Sequence, residues 1–151
     1  MLQRKLKKIY FIEDSSDEIF LSRMLFRHHK IDLEIEHLRN MEDFFEKLRH
    51  MDTEQADEAL VVVDLNLTLT KGTEGIRRLR HIAGGSRLIA GICTGSEDPA
   101  DERSSFEAGA DFFVAKPLDK NSLGHICNSV STLSMVKSAA NDIELIKEIA
   151  S

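Results

Sequence analysis

The chain alternates between apolar runs of strand length and longer segments in which apolar residues recur every three or four positions. The apolar runs, which we predict to be strands, occupy residues 8–12, 33–38, 59–63, 88–93 and 111–114. The segments between them have helical spacing. This alternation predicts repeated strand–helix–strand units and therefore a parallel sheet.

One of the five predicted strands differs from the others in polarity. Four runs are almost continuously apolar, which is typical of strands covered on both faces of a sheet. In the second run Leu33 and Ile35 alternate with glutamates, so we expect this strand at an edge. The pattern favours a flavodoxin-like (βα)5 three-layer α/β sandwich with strand order 2-1-3-4-5, in which ligands bind beyond the carboxyl ends of the strands.

Local signals mark the ends of the predicted helices. Asn40, Asp98 and Asp119 each precede a helical segment and can accept hydrogen bonds from its first backbone N–H groups. Pro99 suits the first helical turn, where its missing N–H is not needed. Gly84 follows another helical segment and favours its termination.

Composition and charge limit the class of protein. At 151 residues, 42% of them hydrophobic, the chain suits one domain with a single apolar core. It carries 20 Lys and Arg against 26 Asp and Glu, a formal net charge of −6, which argues against binding to nucleic acid phosphates. No apolar stretch approaches the ~20 residues that cross a bilayer, and the N-terminus lacks the apolar segment of a signal peptide. We therefore expect a cytoplasmic protein that binds neither nucleic acid nor membrane.

The cysteines and histidines do not form a recognisable metal or disulfide pattern. Cys93 and Cys127 have neither the number nor the spacing of a disulfide framework or zinc site, so we expect both to be reduced core residues. The six histidines show no metal-ligand spacing and are expected at solvated helix positions.

Polar side chains follow four of the predicted strands at the point where each strand ends. Glu13 and Asp14 follow the first strand, Asp64 the third, Thr94 the fourth and Lys116 the fifth. Because the carboxyl ends of parallel strands meet at the same edge of a sheet, we expect these side chains to converge.

The three carboxylates of this group would repel one another unless a cation joined them. A dense set of oxygen ligands suits Mg²⁺. A lysine and a hydroxyl beside the metal would complete a site for a phosphoryl group, whose oxygens need neutralisation during transfer. The carboxylate of Asp64 is then the natural nucleophile.

Four segments around these residues resemble the signature of the response-regulator receiver domain of two-component signalling, similar to the chemotaxis regulators. Each segment is short, but their order and spacing together are specific. They read IYFIED at 9–14, VVVDLN at 61–66, CTG at 93–95 and GADFFVAKP at 109–117. The resemblance covers residues 8 to 135.

The resemblance implies a metal site and a phosphoacceptor. Asp64 would accept a phosphoryl group from a histidine kinase or a histidine phosphotransfer protein. Asp14 and Asp64 would bind Mg²⁺ through their side chains, Glu13 through a water molecule and Asn66 through its backbone carbonyl. Such a receiver is a signalling domain rather than an enzyme, because it catalyses only its own phosphorylation and dephosphorylation.

The resemblance also implies how the phosphoryl group would be sensed. Lys116 would pair with the phosphoryl oxygens, and Thr94 would hydrogen-bond one of them. Phe113 stands at the aromatic switch position and would turn inward as Thr94 moves toward the phosphate. The Lys116–Pro117 peptide bond is expected to be cis.

The chain departs from the receiver pattern in two places. The segment 67–75 is a few residues longer than usual and lacks the customary proline, so the resemblance does not define metal geometry or partner contacts along that loop. Gly95 stands where alanine is commoner. All five core positions are present, and we therefore expect a receiver that is phosphorylated.

Two other functions stay open. Residues 64–68 partly resemble the nucleophile loop of haloacid-dehalogenase-type phosphatases, which use a second aspartate two residues on as general acid. Asn66 occupies that position and cannot transfer a proton in this way. The other alternative is an interaction module that signals without phosphorylation. Turnover of a phosphate ester would indicate the phosphatase, and a lack of phosphoryl incorporation would indicate the module.

Beyond the receiver signature, apolar residues continue at three- and four-residue intervals further than a receiver's last helix requires. They are Leu123, Ile126, Val130, Leu133, Val136, Ala140, Ile143 and Ile146. We therefore divide the chain into a receiver domain, residues 1–135, and a C-terminal helical extension, residues 136–151.

Two interpretations of this extension remain open. A continuous helix would leave its apolar stripe exposed after Val136, which favours a homodimer through the C-terminal helix. Alternatively, Asn141 and Glu144 form a capping pair that starts a separate helix folding back on the domain.

Because the sequence shows no output domain, we expect a stand-alone receiver that acts by contact with a downstream protein, whose identity is unknown.

Overall fold

The computed structural model describes residues 2–150, which contain two sheets and six α-helices. The strands are β1 Leu2–Lys5, β2 Lys8–Ile12, β3 Glu34–Leu38, β4 Ala59–Asp64, β5 Ile89–Thr94, β6 Phe113–Ala115, β7 Leu133–Lys137 and β8 Ile143–Ile149. The helices are α1 Ser16–His28, α2 Met41–Arg49, α3 Thr53–Asp57, α4 Gly72–His81, α5 Pro99–Glu107 and α6 Lys120–Ser129. A short 3₁₀ helix, Gly85–Arg87, precedes β5.

Five strands form a parallel sheet in the order β3-β2-β4-β5-β6. Numbered among themselves along the chain, these strands have the order 2-1-3-4-5, which confirms the predicted flavodoxin-like fold. β3, the strand with alternating glutamates, lies at an edge as predicted. The predicted strand 8–12 is reproduced residue for residue, and the bounds of the other four differ by at most two residues.

Apolar side chains fill both faces of this parallel sheet. Residues alternate along each strand, so Phe11 and Val62 belong to one apolar layer while Tyr10 and Val61 belong to the other. The first layer packs against α1 and α6, and the second packs against α2, α3 and α4. The result is the predicted three-layer sandwich. In the range 2–150, no helix is both long and apolar enough to be a membrane span.

The predicted capping residues begin three of the helices. The side chains of Asn40, Asp98 and Asp119 each accept a hydrogen bond from a backbone N–H of the first helical turn, at 2.9 to 3.0 Å. Gly84 follows α4 with a φ of 83°, a left-handed conformation that glycine adopts readily. The Lys116–Pro117 peptide bond is cis, as the resemblance implied.

The predicted C-terminal helix is wrong. α6 ends at Ser129, and the following residues form an antiparallel hairpin of β7 and β8. β1 pairs with the other edge of β8, which gives a second sheet in the order β1-β8-β7. The predicted helical extension, residues 136–151, is therefore not helical over residues 136–150, which are the part that the structure describes. The predicted domain boundary at residue 135 lies within β7.

Two features of the sequence explain the hairpin. Asn141 lies in its turn with a φ of 69°, and asparagine tolerates this left-handed conformation better than most residues. Segment 143–149 fits the spacing of a helix as well as that of a strand, because its apolar residues recur at intervals of two as well as three. In the structure this segment pairs with β7 on one edge and with β1, at the opposite end of the chain, on the other, which favours the strand. A local pattern cannot show this long-range pairing.

The hairpin also removes the basis of the predicted homodimer through a C-terminal helix. Ile143 and Leu145 are only 4% and 0% exposed, so their apolar surface is covered within one chain. The Leu6 N–H donates a hydrogen bond to the Leu145 carbonyl at 2.8 Å, and the Ile143 N–H donates to the Lys30 carbonyl at 2.7 Å. The segment folds back on its own domain as a pair of strands rather than as a second helix.

Candidate functional site

The carboxyl ends of four parallel strands bring the predicted site residues to one edge of the main sheet. Glu13 and Asp14 directly follow β2, and Asp64 is the last residue of β4. Thr94 is the last residue of β5, and Lys116 follows β6. The parallel register of these strands places all five residues at the same edge, as their position after each apolar run predicted.

Three carboxylates lie close together at this edge. Glu13, Asp14 and Asp64 each offer one oxygen, and these oxygens all lie within 4.8 Å of one another. Glu13 is 1% exposed and Asp64 is 5% exposed, whereas Asp14 is partly exposed. Removal from water disfavours the charged form of a carboxylate, so this cluster needs positive charge nearby.

Lys116 supplies part of that positive charge. Its Nζ lies 2.8 Å from Glu13 Oε2 and 3.3 Å from Asp64 Oδ1. Burial acts to lower the pKa of Lys116, but the attraction of Glu13 and Asp64 outweighs it, and the pKa is raised. Lys116 therefore stays charged and offsets one of the three negative charges.

Glu13 is the most deeply buried of the three acids. Burial raises the pKa of Glu13 despite the opposing effect of Lys116, and the charge of Asp64 adds to the rise. Its Oε1 accepts a hydrogen bond from the Ser15 backbone N–H at 3.1 Å. Its Oε2 contacts Lys116 but receives no directed hydrogen bond from residues 2–150. A buried oxygen of this kind, within a cluster of hard oxygen ligands, fits a divalent cation such as Mg²⁺ or its bound water.

Asp14 is held by a residue that sequence reasoning missed. The backbone N–H of Thr68 donates to Asp14 Oδ2 at 2.8 Å, and the Thr68 hydroxyl donates to the same oxygen. The hydroxyl contact is the main cause of a lowered pKa for Asp14. Thr68 lies in the segment Leu-Thr-Leu-Thr at 67–70, in which no pattern distinguishes one threonine from the other.

The loop between β4 and α4, which departs from the receiver pattern in length, is a closed turn. Asn66 and Lys71 pair as an isolated antiparallel bridge, and the Gly72 N–H donates to the Leu65 carbonyl at 2.7 Å. A Cβ on Gly72 would lie 2.3 Å from the Asp64 carbonyl oxygen, so this close approach requires glycine. Asn66, whose carbonyl is the predicted metal ligand, is an exposed residue at the start of this turn.

Thr94 is buried at the end of β5, with 1% of its surface exposed. Its Oγ1 accepts a hydrogen bond from the Ser96 backbone N–H at 3.1 Å. The Ser96 hydroxyl in turn donates to Asp101 Oδ2 at 2.5 Å, which connects the loop after β5 to the first turn of α5. Gly95 is exposed, and a Cβ there would meet no described atom within 4 Å.

The two neighbouring phenylalanines of GADFFVAKP have different environments. Phe112 is completely buried in the apolar layer that packs on α1 and α6. Phe113, on β6, is only partly buried and lies against the opposite layer. This agrees with the alternation of side chains along a strand. Phe113 therefore has both an apolar contact and access to the surface.

Two further residues near the site differ in how well they were predicted. His37, on β3, is partly buried, and its Nε2 lies 2.5 Å from the Glu13 carbonyl oxygen, so it is not a solvated helix residue. Cys93 lies opposite Asp64 in the sheet, and burial raises the pKa of its thiol to about 12. It is the reduced core residue that was expected.

The sequence model of the response regulator receiver domain family matches residues 9–128, a range that includes every residue of this cluster. The chain belongs to that family. The motifs that suggested a receiver domain therefore identified the family correctly. A comparison with curated protein sequences gives no match.

Solved structures of response regulators share the fold of this receiver domain. The bacteriophytochrome response regulator AtBRR gives a TM-score of 0.69 at 19% identity, covering 85% of this chain and 94% of that chain. The chemotaxis response regulator CheY4 of Vibrio cholerae gives a TM-score of 0.66 at 15% identity, covering 83% of this chain and 99% of that chain. The Mn²⁺-bound form of response regulator Rcp1 gives a TM-score of 0.60 at 23% identity, covering 78% of this chain and 86% of that chain. At these identities the likeness establishes the fold alone.

Proposed function

We propose that this receiver domain accepts a phosphoryl group on Asp64 in the presence of Mg²⁺. The donor is the phosphohistidine of a histidine kinase or of a histidine phosphotransfer protein. The observation that carries the proposal is the convergence of Glu13, Asp14 and Asp64 on one another and on Lys116. Membership of the receiver family supports a role in two-component signalling.

In the proposed reaction Asp64 acts as the nucleophile through a carboxylate oxygen. A P–O bond forms at Asp64 while the P–N bond of the phosphohistidine breaks, and the donor imidazole leaves with the electrons of that bond. The phosphoryl oxygens then lie beside Lys116, whose ammonium offsets their charge. Because Lys116 already contacts Asp64 at 3.3 Å, little movement is needed to bring it to the product.

The residues of the site fit Mg²⁺ in kind and number. Asp14 and Asp64 would hold the ion through their side chains, Asn66 through its backbone carbonyl and Glu13 through a water molecule. When bound, Mg²⁺ would neutralise phosphoryl oxygens during in-line transfer. Lys116 and the metal together would balance the negative charge of the three acids.

Thr94 and Phe113 are proposed to sense the modification. The Thr94 hydroxyl accepts the Ser96 N–H and keeps its own proton for donation to a phosphoryl oxygen. Phe113 lies on the neighbouring strand, opposite Ile92 rather than Thr94, is partly exposed and would turn inward as Thr94 moves. Both changes alter the surface of α5 and β6, where we propose that a downstream protein binds.

The phosphatase alternative lacks its general acid, because Asn66 stands two residues after Asp64. The interaction-module alternative differs from the proposal only in whether Asp64 is phosphorylated. Incubation of the purified chain with Mg²⁺ and a small acyl phosphate, followed by intact-mass measurement and peptide mapping, distinguishes all three.

We expect at most one phosphoryl group per chain, located on Asp64 and released by hydroxylamine, which cleaves acyl phosphates. Modification of a different residue contradicts the proposal. So does a lack of incorporation from both the small donor and a histidine kinase, which would favour the interaction module. Rapid turnover of the donor far beyond one equivalent would favour a phosphatase.

A further inference from the structure

We infer that Thr68 is a positioning residue that orients Asp14 for Mg²⁺ and so couples the loop between β4 and α4 to metal binding. The inference rests on the proposed function, because it assigns Thr68 a role at the proposed metal site. It adds a residue that lies outside the motifs of the receiver signature and belongs to the longer loop of this chain.

Thr68 binds one oxygen of Asp14 and leaves the other free of these contacts. Both the backbone N–H, at 2.8 Å, and the hydroxyl of Thr68 donate to Oδ2. Hydrogen bonds to an ionised acceptor are stronger than those between neutral groups. Two such bonds to a single oxygen restrict rotation of the Asp14 carboxyl group.

The orientation that Thr68 holds is the one in which the carboxylates converge. With Thr68 engaged, Asp14 presents an oxygen within 4.8 Å of oxygens from Glu13 and Asp64. Burial restricts Glu13 and Asp64, whereas Asp14 is partly exposed and depends more on its hydrogen bonds for orientation. Partners that orient a metal-binding side chain typically change metal affinity by roughly 10- to 100-fold.

The loop geometry keeps Thr68 in place. The Asn66–Lys71 bridge and the Gly72 N–H bond to the Leu65 carbonyl close the turn on both sides of Thr68. Gly72 also passes so close to the Asp64 carbonyl that a Cβ would not fit. The closed turn therefore holds the Thr68 backbone N–H at Asp14, which links the conformation of the loop to the orientation of this metal-binding carboxylate.

Calorimetric titration with Mg²⁺ of the wild type and of Thr68→Val tests the inference. Valine keeps the shape of threonine and the backbone N–H but removes the hydroxyl. We expect Mg²⁺ to bind about 10-fold more weakly to Thr68→Val. Thr68→Ser, which restores a hydroxyl, and Thr70→Val, a matched change two residues along the same loop, should bind Mg²⁺ like the wild type.

The role of Thr68 is overturned, with the proposed function intact, if the wild type binds Mg²⁺ and Thr68→Val binds it equally well. Equal weakening in Thr70→Val also overturns it, because the effect would then belong to the loop in general. A wild type that binds no Mg²⁺ overturns both proposals. Thr68→Ala provides a second hydroxyl deletion if thermal unfolding of metal-free Thr68→Val shows a folding defect.

Discussion

Electrostatic strain is distributed unequally among the three acids of the site. The sequence predicted that the three carboxylates repel one another. In the structure, however, each carboxylate has a different environment. Hydrogen bonds from Thr68 lower the pKa of Asp14, so its charged form is favoured in the folded protein. Burial raises the pKa of Glu13, so its charged form costs free energy on folding. Relief of repulsion should therefore come from neutralising Glu13 rather than Asp14.

Glu13→Gln should accordingly raise the free energy of unfolding of the metal-free protein at neutral pH. A raised carboxyl pKa reduces stability above that pKa, and the loss disappears as the pH falls through it toward the ordinary value of 4.5. The advantage of the variant should shrink as the pH falls and vanish below 4.5. Urea unfolding in the presence of chelator measures the difference in the free energy of unfolding. A variant less stable than the wild type at neutral pH would contradict the claim that charged Glu13 destabilises the metal-free protein.

Lys116→Met should destabilise the metal-free protein by about 2 kcal/mol, because Glu13 and Asp64 lose the cation between them. Lys116 remains 19% exposed at its side chain, so we expect less than the roughly 3–5 kcal/mol lost when a fully buried pair is broken. Adding Glu13→Gln to Lys116→Met should recover part of the loss. Chemical unfolding of the three variants checks this, and an effect of Glu13→Gln that is the same in the wild type and in Lys116→Met would show that the pair is not coupled.

Residues of the site were predictable where each follows a buried strand. The apolar runs located the strand ends, and the parallel topology brought Glu13, Asp64 and Lys116 together. Thr68 and His37 were not predictable in this way. Their contacts with Asp14 and with the Glu13 carbonyl depend on how a loop and an edge strand approach the site in space.

At the scale of elements, the strands of the parallel sheet could be predicted from their apolar composition, whereas the C-terminal strands β7 and β8 could not. A buried parallel strand is apolar over most of its length, which a helix of similar length rarely is. Residues 143–149 carry apolar residues at both helical and strand spacing, so their pattern did not decide between the two. In the structure β8 pairs with β7 on one edge and with β1, from the opposite end of the chain, on the other.

Two neighbouring substitutions test whether the C-terminal segment is a strand. Leu145 is 0% exposed in the core, whereas Ile146 is only partly buried on the other face of β8. Leu145→Ala should lower the free energy of unfolding by about 3 kcal/mol, and Ile146→Ala by about 1 kcal/mol or less. Urea denaturation of both variants measures the difference. Similar losses at the two positions would contradict the alternation of a strand.

Over the whole molecule, the second sheet joins the two ends of the chain to the receiver fold. Ion pairs reinforce this junction, since Lys147 Nζ lies 3.6 Å from Asp57 Oδ1 and Arg4 Nη1 lies 3.1 Å from Glu54 Oε1. The family match ends at residue 128, before the hairpin begins. The hairpin is therefore an addition to the receiver that shares its core rather than a separate extension.

Metal binding at one edge of the sheet should stabilise the whole domain. A ligand that binds only the folded protein stabilises it by about 1.4 kcal/mol at ten times its dissociation constant. We expect Mg²⁺ to raise the melting temperature, chelator to reverse the shift, and Asp14→Asn to reduce it. Differential scanning calorimetry measures all three. A melting temperature that does not respond to Mg²⁺ would contradict the metal site.

Phosphoryl incorporation into Asp64→Asn, compared with the wild type, tests the central claim most directly. Asparagine keeps the volume of aspartate and removes the nucleophilic charge. Asp17→Asn, on the exposed first turn of α1, is the matched control. With a phosphodonor and Mg²⁺, intact-mass measurement should show a phosphoryl group on the wild type and on Asp17→Asn but none on a folded Asp64→Asn. Undiminished incorporation into Asp64→Asn would contradict the assignment of Asp64 as the phosphoacceptor.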